Sequence, residues 1–258
     1  FRADFDAVPV VDELDAPYVS TVPGVGHKCG HDGHSAALAA LALEIDREGA
    51  DKNVFFLFQH AEETGDGAKD CTALFRDERV DEICGFHNRP GIPLGMAQVL
   101  DGTVYCGSEG AILDFQGVPS HASMPELGRN PAYAISDIIQ RLPQLQDPGR
   151  YRGLVLATII QVDVGERAFG TQASRGKLLL TIRGEHEEEL QRLQDELEAL
   201  ARERAEAYGL GLEIGYCDVF PNTVSHPQSP DLHTVGMDFP DAIIGTAVDI
   251  FRGLIGRA

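Results

Sequence analysis

The first group of residues that could do chemistry is the run from 27 to 34, His-Lys-Cys-Gly-His-Asp-Gly-His. Thiolate, imidazole and carboxylate groups are the donors that zinc and similar transition metals bind in proteins. One glycine separates Cys29 from His31, so an extended loop can turn both donors to the same side. The alternative is a polar loop that caps the following helix and contains histidines with no ligand role.

A second group is the pair of adjacent carboxylates Glu62 and Glu63, which follows the apolar segment 53–58. Open α/β sheets bind ligands beyond the carboxyl ends of their parallel strands. One carboxylate of such a pair can bind a metal, while its neighbour, pointing the other way, stays available to move a proton. Most Glu-Glu pairs are solvated surface, so this pair gains meaning only beside other donors.

Histidines supply the remaining donors. His87 follows the apolar segment 83–86, where a histidine alone is more often a satisfied structural group. With the residues above it provides one closed and one open metal position, and His233 near the end of the chain would allow two metals. The five candidate metal ligands are Cys29, His31, Glu63, His87 and His233.

Two divalent ions about 3.5–4 Å apart can share a water, lower its pKa and polarise an amide carbonyl. Glu62 is the candidate general base, which takes the proton from that water and returns it to the leaving amine. His121, in a loop of small residues, could donate a hydrogen bond to a developing oxyanion. A loop histidine with no role is the alternative for that position.

Two scaffolds must position these residues. The first hundred residues alternate strand-like and helix-like segments, which is typical of an α/β layer with a largely parallel sheet. Here the sequence predicts strands at 1–6, 53–58 and 83–86, and a helix at 35–48. A C-terminal apolar helix at 242–255 is predicted to pack back on this first domain.

From about residue 107 the order changes to strand-helix-strand-strand-helix-strand, the pattern of a ferredoxin-like sandwich. The predicted strands are 111–118, 154–164, 177–183 and 211–217, and the predicted helices are 131–145 and 185–208. Leucines recur at three- and four-residue spacing along the second helix. We predict that they pack against the sheet, because the stripe is too short for a sustained coiled coil.

Composition narrows the function classes. With 43% hydrophobic and 24% charged residues the chain is an ordinary globular protein, and no apolar run approaches the roughly 20 residues that span a bilayer. A formal net charge of −20 disfavours nucleic acid and anionic membranes as partners. Five scattered cysteines form neither a disulfide framework nor a zinc-ribbon pair, which favours a reducing, cytoplasmic location.

In this order, the motifs resemble those of the aminoacylase and carboxypeptidase G-like amidohydrolases, whose relatives include hippurate hydrolases, N-acetyl-diaminopimelate deacetylases and plant auxin-conjugate hydrolases. The resemblance spans nearly the whole chain. It rests on the metal-ligand run at 27–34, the Glu-Glu pair at 62–63, His-Asn-x-Pro at 87–90, Gly-x-x-x-His-x-x-x-Pro at 117–125, and His233.

The resemblance implies a zinc-peptidase-like α/β catalytic domain, residues 1–106 and 218–258, with an inserted ferredoxin-like α+β lid and dimerisation domain at 107–217. It implies that the five candidates are ligands of two divalent ions, zinc or manganese, and that Glu62 is the general base. It also implies a homodimer formed through the lid, with His121 reaching into the partner's active site.

The chain departs from the family pattern at several places. Compared with the pattern, a strand-helix segment before Phe1 is missing and the stretch 222–232 is short, so the catalytic domain is expected to look incomplete. Either the protein has these residues outside the present sequence, and His233 is a ligand, or they are deleted, which predicts an incomplete sheet and an inactive site. His60 stands where the family usually has Pro, and Gly170 with Ala173 replace an Asn and a Pro of a common subgroup. These lid positions bear on the acyl and amine preference.

The sequence therefore predicts an amidohydrolase that cleaves N-acyl amino acids or related small amides by a metal-bound hydroxide. A dipeptidase-like exopeptidase and a catalytically silent metal-binding homologue are the alternatives. Glu62 argues against the silent homologue, which needs no free base, whereas the short stretch 222–232 argues for it. A redox or metal-storage role for Cys29 fits less well, because no resolving cysteine is near in sequence. Asp4 or Asp6 is expected to hydrogen-bond a metal ligand.

Overall fold

The chain forms two compact units in a computed structural model that describes residues 1–93, 96 and 102–225. The first unit comprises residues 1–99 and 228–258, and the second comprises residues 100–227. The predicted helix at 242–255 lies outside the described residues.

A small parallel sheet organises the first unit. Strand β1 (Arg2–Asp4) pairs in parallel with β2 (Leu57–Gln59), and on its other side Arg2 bridges Gly85. The predicted strands at 53–58 and 83–86 are therefore wrong in extent. Since β1 is the shared partner and has only three residues, it cannot support longer ladders on either side.

One long helix packs on this sheet. Helix α1 (His31–Glu48) buries Ala37, Leu38 and Leu41 against Ala3 of β1. It begins four residues earlier than the predicted start at residue 35, so His31 lies inside its first turn rather than in a preceding loop. Two short helices, α2 (Gly67–Cys71) and α3 (Ala73–Asp77), follow β2.

The second unit has the element order predicted from the sequence. Two short strands at its ends, β3 (Gly102–Tyr105) and β8 (Thr223–Ser225), pair with each other. Between them lie β4 (Gly107–Gln116), α4 (Pro131–Leu145), β5 (Val155–Val164), β6 (Arg175–Gly184), α5 (Glu187–Tyr208) and β7 (Gly211–Phe220). The antiparallel sheet runs β5-β6-β4-β7, which is the strand order of a ferredoxin-like sandwich.

The core of the second unit lies between this sheet and helices α4 and α5. Leu193 and Leu197 of α5 are fully buried and belong to the same cluster as Leu113 and Phe115 of β4. The prediction that the leucine stripe packs on its own sheet is confirmed. Asn130 caps α4, because its side chain accepts a hydrogen bond from the backbone N–H of Ala132 at 3.0 Å.

All five cysteines are free thiols. Within the part of the chain that the structure describes, no helix combines the length and the apolar character needed to cross a membrane.

Candidate metal centre and active site

The candidate residues of the first unit converge because the parallel segments end at one edge of the sheet. Asp4 closes β1, the Glu62–Glu63 turn follows β2, and His87 follows the bridged Gly85. Carboxyl ends of parallel strands are where α/β sheets bind ligands. The first turn of α1 brings His31 to the same edge.

The buried ring of His31 is the centre of this arrangement. Its Nδ1 lies 3.0 Å from the carbonyl oxygen of Asp6 and 3.2 Å from Asp6 Oδ1, so Nδ1–H donates there. Its Nε2 is buried and has no hydrogen-bond partner. Three carboxylate oxygens surround that nitrogen at longer range: Glu63 Oε1 at 3.6 Å, Glu62 Oε2 at 3.7 Å and Asp4 Oδ2 at 3.9 Å. These distances are too long for hydrogen bonds and leave room for a shared cation.

Two buried atoms without hydrogen-bond partners, His31 Nε2 and Glu63 Oε1, indicate that a metal fits this position. Like His31 Nε2, Glu63 Oε1 is buried without a partner, and an unsatisfied buried polar atom costs about 1–3 kcal/mol. Donor atoms of Cys29, His31 and Glu63 lie within 4.8 Å of one another, and Cys29 Sγ lies 3.4 Å from His87 Nε2. A sulfur, two imidazole nitrogens and a carboxylate oxygen form a donor set that suits a divalent transition metal. The residues therefore fit the predicted metal.

Asp6 orients two of these donors at once. Its Oδ1 faces His31 Nδ1, and its Oδ2 accepts a hydrogen bond from the backbone N–H of Glu63 at 3.0 Å. Burial alone would raise the pKa of Asp6, but hydrogen bonds from the backbone of Glu63 and Glu62 lower it below its usual range. The carboxylate thus stays charged and fixes which nitrogen of His31 faces the metal position.

The turn that carries the glutamates has a strained backbone. Ala61 adopts a φ of 47°, in the left-handed region that L residues rarely occupy. Gly67 closes the turn by donating to the Ala61 carbonyl at 3.1 Å, and a Cβ on Gly67 would lie 1.5 Å from the His60 carbonyl oxygen. The prediction that the two carboxylates point in opposite directions is wrong. The tight turn brings an oxygen of each toward His31 Nε2.

Glu62 has the electrostatic environment of a base. Burial raises its pKa, and the neighbouring charges of Asp4 and Glu63 raise it further. A carboxylate whose pKa lies above the ordinary value accepts a proton more readily near neutral pH. Its side chain keeps 29% exposure, so it can be reached from solvent.

The amino-acid sequence matches a known protein family. The model for Peptidase family M20/M25/M40 matches residues 1–256. The chain belongs to this family. The resemblance inferred from the motifs is thereby confirmed.

Similar proteins within the M20 family are named as amidohydrolases, deacetylases or peptidases. The chain is 32% identical to YhaA of Bacillus subtilis, which carries a provisional amidohydrolase name, over 88% of this chain and 58% of YhaA. An N-acetyldiaminopimelate deacetylase of Leuconostoc mesenteroides is 35% identical over 55% of this chain and 38% of the deacetylase. A crystal structure of Bacillus subtilis YxeP, described as a dinuclear metal binding peptidase from the M20 family, superimposes with a TM-score of 0.69 at 25% identity. That match covers 88% of this chain and 58% of YxeP.

The chain spans only part of the length of these M20 relatives. It spans 58% of YhaA and 66% of a hydrolase of unassigned substrate from Staphylococcus aureus, to which it is 29% identical over 97% of its own length.

His121 belongs to the second unit and is exposed, with Nδ1 2.8 Å from Ser123 Oγ. Its loop is held by an isolated bridge to Thr171 and by the Ala122 N–H, which donates to the Gly170 carbonyl at 3.0 Å. His233 lies outside the described residues.

Two residues at the site were not singled out from the sequence, His34 and Asn88. A signal for His34 was present, because residues three apart share one face of a helix and His31 already lies on the buried face of α1. Asn88 is the Asn of the His-Asn-x-Pro motif at 87–90, but the motif did not assign it a task. Its position becomes clear only from contact with Gly30 and His34.

Gly30 should be sensitive to substitution. It has a φ of 93°, and an added Cβ would lie 2.7 Å from Asn88 Nδ2. We expect Gly30→Ala to destabilise the protein by about 2 kcal/mol or more, since the left-handed backbone alone costs about 1–2 kcal/mol. Urea unfolding measures the change. Gly33→Ala is the matched control: Gly33 lies within α1 with nothing within 4 Å of a Cβ, so alanine should be neutral or stabilising there. An equal loss of stability in both variants would contradict the conclusion that the left-handed backbone and the contact with Asn88 make Gly30 sensitive.

Metal binding should depend on pH through Cys29. Burial and then the Glu63 charge raise the pKa of the Cys29 thiol to about 12, so the metal-free protein keeps this proton at neutral pH. A coordinating cysteine is a thiolate, so binding releases the proton and affinity should rise with pH, by up to about tenfold per unit for one proton. Calorimetry in buffers of different ionisation enthalpy counts the protons. Cys29→Ser should release about one fewer; an unchanged count would exclude Cys29 as a ligand.

Proposed function

We propose that this chain carries the active site of a dinuclear metal-dependent amidohydrolase that cleaves the amide bond of N-acyl amino acids or related small amides. One observation carries the proposal. The half-buried Glu62 carboxylate, with its raised pKa, stands 3.7 Å from a buried imidazole nitrogen that has no protein partner. A general base beside a nitrogen that can bind a metal is the arrangement that metal-assisted hydrolysis of an unactivated amide uses.

Each residue has a separate task in this proposal. Cys29, His31, Glu63 and His87 would hold metal, with His233 as the predicted fifth ligand. Two divalent ions, zinc or manganese, held by these residues would supply Lewis-acid polarisation of the amide carbonyl and a lower pKa for the attacking water. Glu62 accepts the proton of that water and delivers it to the leaving amine, so one side chain serves both halves of the reaction.

The second unit is proposed to be an inserted lid and dimerisation domain, with His121 hydrogen-bonding the substrate in the partner's site. Its position in the chain supports an insertion, since the first unit contains residues on both sides of it. Exposed apolar residues on the edge strand β5 support a homodimer, because such an edge is prone to pair with another chain. These residues are Leu156, Ile159, Ile160 and Val162, which are 39%, 40%, 60% and 48% exposed.

A hydrolysis panel tests the proposal. N-acetyl and N-benzoyl amino acids, together with dipeptides that have free amino termini, are offered to the metal-loaded protein and to protein treated with a chelator. We expect metal-dependent cleavage of the acylated substrates. Cleavage of the dipeptides alone would favour an exopeptidase. A protein that binds metal and cleaves none of them would be a silent homologue, and the proposal would fail.

A further inference from the structure

His34 lies beside the metal position, but its ring is already satisfied by the protein. It is 1% exposed, and its Nδ1 lies 2.6 Å from Asp4 Oδ1. Asn88 offers its Nε2 a partner in either tautomer: the backbone N–H lies 3.0 Å away, and Oδ1 lies 2.8 Å away. This contrasts with His31, whose Nε2 has no partner.

Proximity alone would also allow His34 to be a ligand. Donor atoms of Asp4, His31, His34 and His87 lie within 4.8 Å of one another, a spacing that could hold a metal. For His34 to bind an ion, however, it would have to give up a hydrogen bond at one of its two nitrogens. Binding through Nδ1 would remove the hydrogen bond to the buried oxygen Asp4 Oδ1, and binding through Nε2 would remove the acceptor of the Asn88 backbone N–H; both losses are costly in a buried site.

The hydrogen bonds of His34 belong to a longer chain. On one side, Asp4 Oδ2 accepts from Arg2 Nη1 at 2.8 Å, and Arg2 Nε donates to Gln59 Oε1 at 2.9 Å. On the other side, the Asn88 carbonyl accepts from His87 Nδ1 at 2.8 Å. This series of hydrogen bonds therefore joins the ends of β1 and β2, the first turn of α1 and the segment that contains His87.

The last hydrogen bond of this series, from His87 Nδ1 to the Asn88 carbonyl, determines which nitrogen of His87 faces the metal position. With Nδ1–H donating to the Asn88 carbonyl, the lone pair of His87 is on Nε2, which lies 3.4 Å from Cys29 Sγ. Outer partners of this kind fix the tautomer and orientation of ligand imidazoles. The backbone of Asn88 provides both links, accepting from His87 through its carbonyl and donating toward His34 through its N–H.

We infer that His34 is a positioning residue of the metal centre: through the Asn88 backbone it holds His87 in its metal-binding tautomer, and it is not itself a ligand. The inference rests on the proposed metal-dependent function. It assigns different tasks to two histidines one helical turn apart, His31 facing the metal position and His34 facing the protein.

Cobalt(II) titration tests the inference, because the visible spectrum of the bound ion reports the kind and number of its ligands. His34→Gln should bind as many cobalt ions per chain as the parent, with an affinity about 10–100-fold lower. Asn88→Ala keeps both backbone links, so its affinity should stay closer to that of the parent. Nitrogen chemical shifts of His87 should show the Nδ1–H tautomer in the parent and a mixture in His34→Gln.

Leu38→Ala is the structural control. It removes a fully buried apolar side chain from the same helix, and Leu38 forms none of these hydrogen bonds, so the change should lower stability without changing cobalt affinity. If His34→Gln does not fold, Asp4→Asn serves as the second variant, since it removes the charge that His34 contacts and should weaken cobalt in the same way.

Two outcomes would overturn the inference. Fewer cobalt ions per chain in His34→Gln would make His34 a ligand, and an affinity equal to that of the parent would deny it a positioning role. Neither result depends on hydrolysis. A parent that binds cobalt but cleaves no amide would end the proposed function while leaving this test readable.

Discussion

Glu62→Gln is expected to lower kcat by about 10²–10⁴-fold while metal and substrate still bind. Glutamine keeps the size and a hydrogen-bonding oxygen of the side chain but cannot accept the proton of the attacking water. Burial and the charges of Asp4 and Glu63 raise the pKa of Glu62, so this carboxylate accepts a proton more readily near neutral pH. Steady-state kinetics on an N-acyl amino acid, with metal analysis of the same samples, measures both properties.

The same change one residue later is the control. Glu63→Gln should lose metal, because Glu63 Oε1 is a buried oxygen without a hydrogen-bond partner in the protein and is proposed to bind the cation. If instead Glu62→Gln loses metal and Glu63→Gln keeps it, the two roles are exchanged. The pH profile adds a second criterion. Since the base must be ionised, kcat/KM of the parent should fall as pH drops through the raised pKa of Glu62, and Glu62→Gln should lack this acid limb.

The second unit could be predicted from sequence because its elements are long and regular. Helix α5 shows apolar residues at helical spacing, and β4 and β6 each pair over ten residues. In such elements the periodicity of burial is repeated often enough to identify both the element and its inner face. Packing of Leu193 and Leu197 on the sheet follows directly from that periodicity.

The first unit was harder because its elements are short and defined by pairing. The apolar run at 53–58 indicated a long strand, but the three residues of β1 limit β2 to Leu57–Gln59. Hydrophobicity cannot reveal the length of a partner strand. The chemistry of Cys29, His31 and Glu63 was visible in sequence, because donor types and order are local properties.

What sequence could not supply at the site is the set of contacts that hold these donors. The left-handed Ala61 turns both glutamates inward, and the left-handed Gly30 starts α1 at His31. Both effects depend on backbone angles that the residue types do not dictate. Sequence offered Asp4 or Asp6 as the carboxylate that hydrogen-bonds a metal ligand. In the structure Asp6 contacts the candidate ligand His31, whereas Asp4 contacts His34, which we infer to be a positioning residue.

Metal removal is expected to destabilise the first unit and leave the second unchanged. Without a cation, His31 Nε2 and Glu63 Oε1 are buried and unpartnered, and the carboxylates of Asp4 and Glu62 lie close to them. A metal that binds only the folded state adds about 4 kcal/mol of stability at a free concentration 1,000 times its Kd. For a unit of about 130 residues, the size of the first unit, this corresponds to a Tm change of roughly 15 °C. Hydrogen exchange with and without chelator resolves the two units.

His31→Ala shows whether the stabilisation comes from this site. The change removes His31 Nε2, the unpartnered nitrogen that the carboxylates surround. Protection of the backbone amides around Leu38 and Leu41 from hydrogen exchange should then no longer depend on metal. Protection around Leu113 and Phe115 reports the second core, which contains none of the described ligands, and should not respond in either protein. A metal response of equal size in both cores would mean that the ion stabilises the chain at some other place, and the assignment of His31, Glu63 and Cys29 as its ligands would have to be abandoned.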